Sequence, residues 1–183
     1  MIYRRAVLAG LAAWPLMRAS VLAESCVELH PNWEFVADTV MGGVSTGKVE
    51  TAMEAAVLVA RLTGDVSLEN NGGFIQMASD LSRTGEPFDA SAFAGIAFEA
   101  RGNGEVYEVA LRTTELARPW HSYRARFVAG PVWQRIELPF STFTPNRTEL
   151  PFNPSKLRRV GVLAVGRAVS VDVSLRGLCL LTT

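Results

Sequence analysis

Histidine, cysteine and surplus charge are what this chain has least of. With two histidines and two cysteines in 183 residues, it offers no His/Cys cluster at metal-ligand spacing, which excludes a zinc-type centre built from such ligands. Lysine plus arginine and aspartate plus glutamate stand at 18 each, so no basic excess invites nucleic acid or an anionic membrane surface. Low-complexity tracts are missing, and the scattered carboxylates form no calcium-loop pattern. Long apolar runs are scarce too: the one near the start falls short of the roughly 20 residues that a bilayer span takes.

That run has a meaning of its own. Residues 1–23 open on Arg4-Arg5, continue through Ala6 to Trp14, and end in Val21-Leu22-Ala23, the layout of a cleaved signal peptide. The adjacent arginines also suit twin-arginine export, although an ordinary signal gives the same pattern. Export predicts a periplasmic or secreted protein. Cleavage removes three basic residues, leaving fifteen against eighteen acidic ones, a net charge of about −3. Residues 24–183 then form one domain-sized unit, and a hydrophobic content of 49% suits a single packed core. Cys26 and Cys179 lie at its two ends; an oxidising compartment permits a bridge between them, and two separate buried thiols are the alternative.

The periodicity is that of a β protein. Tyr107, Val109, Leu111 and Thr113 alternate with Glu108, Ala110 and Arg112, the two-residue period of a half-buried strand. Tyr123, Ala125 and Phe127 alternate in the same way with Ser122, Arg124 and Arg126, and Val132 to Leu138 repeats the pattern between Gly130-Pro131 and Pro139. Arg159 to Val165 and Val171 to Arg176 read as closing strands. Pro145, Pro151 and Pro154 mark Thr144 to Ser155 as a surface loop. Glu50 to Leu62, rich in Ala, Glu, Leu and Met, fits helical spacing locally; within an antiparallel sandwich it becomes two strands around a turn near Glu54.

One string suggests chemistry. Gly43-Val44-Ser45-Thr46-Gly47 matches the G-x-S-x-G nucleophile elbow. An elbow needs a preceding strand, a following helix, and a later acid and histidine to activate the serine. His30 precedes Ser45, which leaves His121 as the one base in hydrolase order, and the α/β alternation is missing. The dinucleotide pattern also fails, because Gly102-Asn103-Gly104 lacks a third glycine and leads into a strand. The reading is non-catalytic, with no cofactor.

Trp33-x4-Asp38-Thr39-Val40-Met41-Gly42-Gly43-Val44-Ser45 and Gly64-x-Val66-Ser67-Leu68-Glu69-Asn70-Asn71-Gly72-Gly73-Phe74 resemble the two signature blocks of the complex I intermediate-associated protein 30 family. The resemblance continues through Arg101-Gly102-Asn103-Gly104-x2-Tyr107, Leu111-Arg112-Thr113, Tyr123-x3-Phe127, Trp133-Gln134-x4-Pro139-Phe140-Ser141-x-Phe143 and Val160-Gly161-Val162. It implies an all-β, galactose-binding-like β-sandwich of jelly-roll type, shared with carbohydrate-binding modules, and no enzymatic activity. It also implies a chaperone-like role in assembling a protein complex. Two partners are therefore expected: a protein client, in an envelope or respiratory complex, or a carbohydrate. The expected binding positions are Asp38, Met41, Gly42, Gly43, Ser45, Asn70, Asn71, Gly73 and Phe74 in the signature loops. Arg112, Trp120, Tyr123 and Arg126, with His121 and Trp133 nearby, are expected on one sheet face or its rim. The loop residues also admit a purely structural reading, as shapers of tight turns.

Overall fold

Two antiparallel sheets carry nearly all the regular structure in the computed structural model, which describes residues 26–182 apart from residue 83. The expected export segment lies outside the described residues. The strands in chain order are β1 (Cys26–Glu28), β2 (Glu34–Ala37), β3 (Thr46–Glu54), β4 (Val57–Val66), β5 (Phe74–Asp80) and β6 (Phe93–Gly102). Then follow β7 (Val106–Thr113), β8 (Ser122–Val128), β9 (Gln134–Pro139), β10 (Thr144–Asn146), β11 (Leu157–Val165) and β12 (Val169–Thr182). The first sheet runs β3-β4-β12-β6-β9, with β1 also paired to β12; the second runs β10-β8-β7-β11-β5-β2. This is the expected antiparallel sandwich. No helix among the described residues is long and apolar enough to cross a membrane.

Alternation builds the core. Tyr107, Val109 and Leu111 of β7 and Tyr123, Ala125 and Phe127 of β8 turn inward, meeting Phe98, Leu62, Val173 and Leu180 of the facing sheet. Phe98 packs edge-on against Phe127 across the layers, with ring centroids 5.1 Å apart, a geometry worth about 0.5–1.5 kcal/mol beyond burial alone. The Tyr107 hydroxyl is satisfied at the core's margin: it donates to Asn103 Oδ1 at 2.7 Å and accepts from the Asp172 amide at 3.1 Å.

Three local expectations resolve physically. Glu50 to Leu62 is a hairpin, turning at Ala55 and Ala56 with φ of 48° and 64°, and its register pairs Glu54 with Val57 and Val49 with Leu62. Nine cross-strand pairs and the burial of Val59, Ala60 and Leu62 on β4 outweigh the local helical propensity. The stretch expected as a loop from Thr144 holds a three-residue edge strand, β10, paired to β8, and a 3-10 turn at Pro154–Lys156. The expected strand from Val132 starts two residues later, at Gln134.

Cys26 and Cys179 are joined in a disulfide, with Cα atoms 5.6 Å apart and a sequence separation of 153. The bridge fixes the short strand β1, which pairs with only Cys179, Leu180 and Leu181, to the end of β12. On the chain-entropy account a loop this long contributes up to about 5 kcal/mol. Reduction, or Cys26→Ser with Cys179→Ala, is expected to lower the melting temperature by about 5–15 °C. Calorimetry with and without reductant measures it, and an unchanged transition would show that β1 docks without the bridge.

Candidate functional site

Asp38 is the most constrained polar residue of the described chain. It follows β2 at the start of a 3-10 turn (Asp38–Met41), and it is fully buried. Its Oδ1 accepts from the Ser45 amide at 3.1 Å; its Oδ2 accepts from the Gly73 amide at 2.6 Å, the Phe74 amide at 3.2 Å and the Ser45 hydroxyl. Ser45 Oγ in turn accepts from the Ser67 amide at 2.9 Å. The two signature blocks are therefore one knot. Residues 38–45 cross from the second sheet to the first, residues 67–73 cross back, and the carboxylate ties the two crossings side by side.

The glycines follow from this carboxylate. A Cβ at Gly43 would fall inside the Asp38 carboxylate, and one at Gly72 would sit 2.7 Å from Oδ2. Gly73 adopts φ +132°, and Asn70 and Asn71 take left-handed values of 53° and 59°, conformations that Gly and Asn reach at least cost. Ser45 is 1% exposed and bonded to the carboxylate. It follows a 3-10 turn and precedes a strand, the reverse of an elbow, so its hydroxyl is a tie and not a nucleophile.

The outer surface of the same loops is different. Val40, 75% exposed, and Met41, 55% exposed, project from the 3-10 turn, with Val44 and Leu68 also exposed. Val44 precedes Ser45 and Leu68 follows Ser67, so the Ser67–Ser45 bond holds their two segments together. Met41 is thus at the surface, whereas Asp38, Gly43, Ser45 and Gly73 are inside.

The second group of expected residues disperses. Tyr123 is corrected to the core: it is fully buried, its hydroxyl donating to the Pro151 carbonyl at 3.1 Å. Arg112 uses its fork structurally, donating to the carbonyls of His121 at 3.1 Å and Arg118 at 3.0 Å. Burial, with Arg158 and Arg159 nearby, pushes its pKa down. Trp120 stays exposed on the segment so fixed, edge-on to His121. Trp133 immediately precedes β9 and packs against the opposite sheet, where the guanidiniums of Arg101 and Arg176 lie 4.6 and 4.3 Å from its ring centroid.

Arg126 alone of that group lines a cleft. This cavity, of about 610 Å³, lies on the open face of the second sheet, with Glu108, Arg124, Arg126, Thr144, Asn146 and Gly166 among its lining. Glu108 of β7 sits opposite Arg126 of β8 in register and accepts from Arg126 Nε at 3.0 Å and Arg124 Nη1 at 3.0 Å. Glu108, Arg124 and the β10 residues were missed from the sequence. Alternation showed Glu108 and Arg124 facing outward, but Thr144 to Asn146 read as loop, and the cross-strand register that brings them together was not readable there.

The knot sets two expectations. Asp38→Ala strands several buried donors and is expected to destabilise by about 3 kcal/mol or more, and Gly43→Ala to destabilise by displacing the carboxylate. Burial by itself would raise the Asp38 pKa, but the bonds from Ser45, Gly73 and Phe74 prevail and hold it below the ordinary value of 3.8. A lowered folded pKa contributes stability that is complete above the unfolded value and is lost as pH falls through the folded one. Asp38→Asn should therefore flatten the loss of stability below about pH 4, leaving the parts from Asp80 and Asp172, whose pKa values are also lowered. Denaturant titrations at stepped pH test this; equal acid slopes in the two proteins would contradict it.

The fold is similar to solved carbohydrate-binding modules. A family 11 module of the Clostridium thermocellum cellulosomal cellulase Lic26A-Cel5E matches with a TM-score of 0.70 at 12% identity, covering 88% of this chain and 96% of that one. The Clostridium thermocellum family 11 module in complex with a β-1,3-1,4-mixed-linked tetrasaccharide matches at 0.65 and 12%, covering 83% and 89%. A family 30 module of cellulase Cel9D-Cel44B from the same organism matches at 0.60 and 14%, covering 86% and 98%. At such identities the likeness is one of fold. No curated protein matches the sequence. The family model for complex I intermediate-associated protein 30 matches residues 25–174, and with its signature loops joined through Asp38 the chain belongs to that family.

Proposed function

We propose that this protein is a non-catalytic, exported binding module that docks a protein client in a chaperone-like role during assembly of an envelope or respiratory complex. The observation that carries this reading is the apolar cap of Val40, Met41, Val44 and Leu68 on loops held rigid from beneath by a buried carboxylate. Exposed apolar side chains on a fixed base bury area against a partner with little ordering cost. The family's name supports the assembly role. Export is supported by the signal-like segment and by the Cys26–Cys179 bridge, a bond that persists in oxidising compartments.

A second reading, carbohydrate binding, is favoured by one feature: the open cleft beside β10, with the hydroxyl and amide side chains of Thr142, Thr144 and Asn146 in its wall. It does not have a row of stacking rings, since no aromatic residue is among its lining.

Val40→Asp with Met41→Asp tests the first reading. Both positions are exposed, so stability should stay within about 0.5 kcal/mol, while the set of envelope proteins that co-purifies with the wild type is lost. The same set should remain on Arg126→Ala, which alters the cleft alone. Retention of every partner by the double variant would remove the cap as the docking surface.

A further inference from the structure

We propose that the cleft on the open face of the second sheet takes a carboxylate-bearing saccharide of uronate type, an inference that rests on the carbohydrate reading and narrows its ligand. The charge count decides the sign. Two guanidiniums, Arg124 and Arg126, face one carboxylate, Glu108, leaving the cleft one positive charge in excess. Farther along the same face Arg158 and Arg159 meet Asp80 and Glu34, and Arg112, which has no ion-pair partner among the described residues, has its fork bonded to the carbonyls of His121 and Arg118.

The two arginines differ in what they have left to give. Arg124 is committed, Nε donating to Ser122 Oγ at 3.0 Å and Nη1 to Glu108. Arg126 is bonded through Nε alone, with a side chain 78% exposed, so both its terminal nitrogens have no hydrogen bond among the described residues. A guanidinium with a free terminal pair, oriented by a bond at Nε, matches the two oxygens of a carboxylate. Glu108 thus aims Arg126 while offsetting only half the local charge.

The rest of the wall suits a sugar better than a peptide. Thr144 Oγ1 donates to the Arg124 carbonyl at 3.4 Å and Thr142 Oγ1 to that of Pro139 at 2.7 Å, which leaves their lone pairs to accept from sugar hydroxyls. A peptide adding as a strand would find little edge, since β10 offers three residues with Pro145, which has no N–H, at the centre. The cavity volume of about 610 Å³ lies within the ordinary range of small-ligand sites.

Isothermal titration of the purified protein with trigalacturonate, a neutral mixed-linked glucan tetrasaccharide and hexaglutamate separates the possibilities. The expected result is saturable binding of trigalacturonate alone, weakening several-fold between about 50 and about 300 mM salt. Arg126→Ala should weaken it about tenfold or more with an unchanged melting temperature. Glu108→Gln, which removes the competing carboxylate, should tighten it by about threefold. Equal binding of the neutral tetrasaccharide would keep the carbohydrate reading and overturn the preference for a carboxylate. Binding of hexaglutamate alone would overturn the sugar in favour of an acidic peptide, and no binding of any probe would overturn both the inference and the carbohydrate reading.

Discussion

A single buried carboxylate decides how the two sheets are connected. Moving the Asp38 charge out of water is costly unless its oxygens are filled, and here they are filled by the amides of Ser45, Gly73 and Phe74 and by the Ser45 hydroxyl. Those donors come from both crossings between the sheets. The carboxylate must therefore be matched by both loops at once, and this demand fixes Gly43 and Gly72 by space and Gly73, Asn70 and Asn71 by backbone angle. What looks in sequence like two separate glycine-rich motifs is one hydrogen-bonded object.

Much of the sandwich was legible because its strands carry a clean period of two. The alternation in β7, β8 and the first half of β12 marks the inward residues, although Ala110, Ser122 and Ser174 on the other phase are buried as well. The hairpin of Glu50 to Leu62 was ambiguous, because alanine, methionine and leucine also satisfy a helical period; its strand character comes from pairing with β12 and from burial, neither of which is local information. The candidate site was less legible still. Asp38 and its glycines stood out, yet their inward orientation did not, since a polar residue in a glycine-rich loop is more often at the surface. Tyr123 could be ring platform or core until its strand's facing was known. The Glu108–Arg126 pair needed a register between β7 and β8 that composition does not contain.

Likeness to carbohydrate-binding modules at 12–14% identity carries the architecture and leaves the surface chemistry open. The two outer faces of this sandwich illustrate the point. On the first sheet Arg61 meets Asp172, Arg101 meets Glu54 and Arg176 meets Glu99, rungs that neutralise one another; exposed pairs of this kind contribute little each. The cleft on the second sheet is lined by charge and hydroxyls where a stacking platform would need rings. Its chemistry belongs to this chain and has to be argued from this chain's residues.

The knot also reaches the cleft. Gly73, held through its amide by Asp38, accepts with its carbonyl from the Gly166 amide at 2.8 Å, and Gly166 with Val165 forms one wall of the cavity. Phe74 pairs with Val165 in the same register. The carboxylate thus supports the apolar cap from below and the cleft wall from behind. Loss of binding on altering Asp38 or its glycines would accordingly say nothing about which surface binds, because both rest on the same tie. Only side chains that leave the knot untouched, Val40 and Met41 on one surface and Arg126 on the other, separate the two, and that separation follows from the hydrogen bonds and not from the family signature.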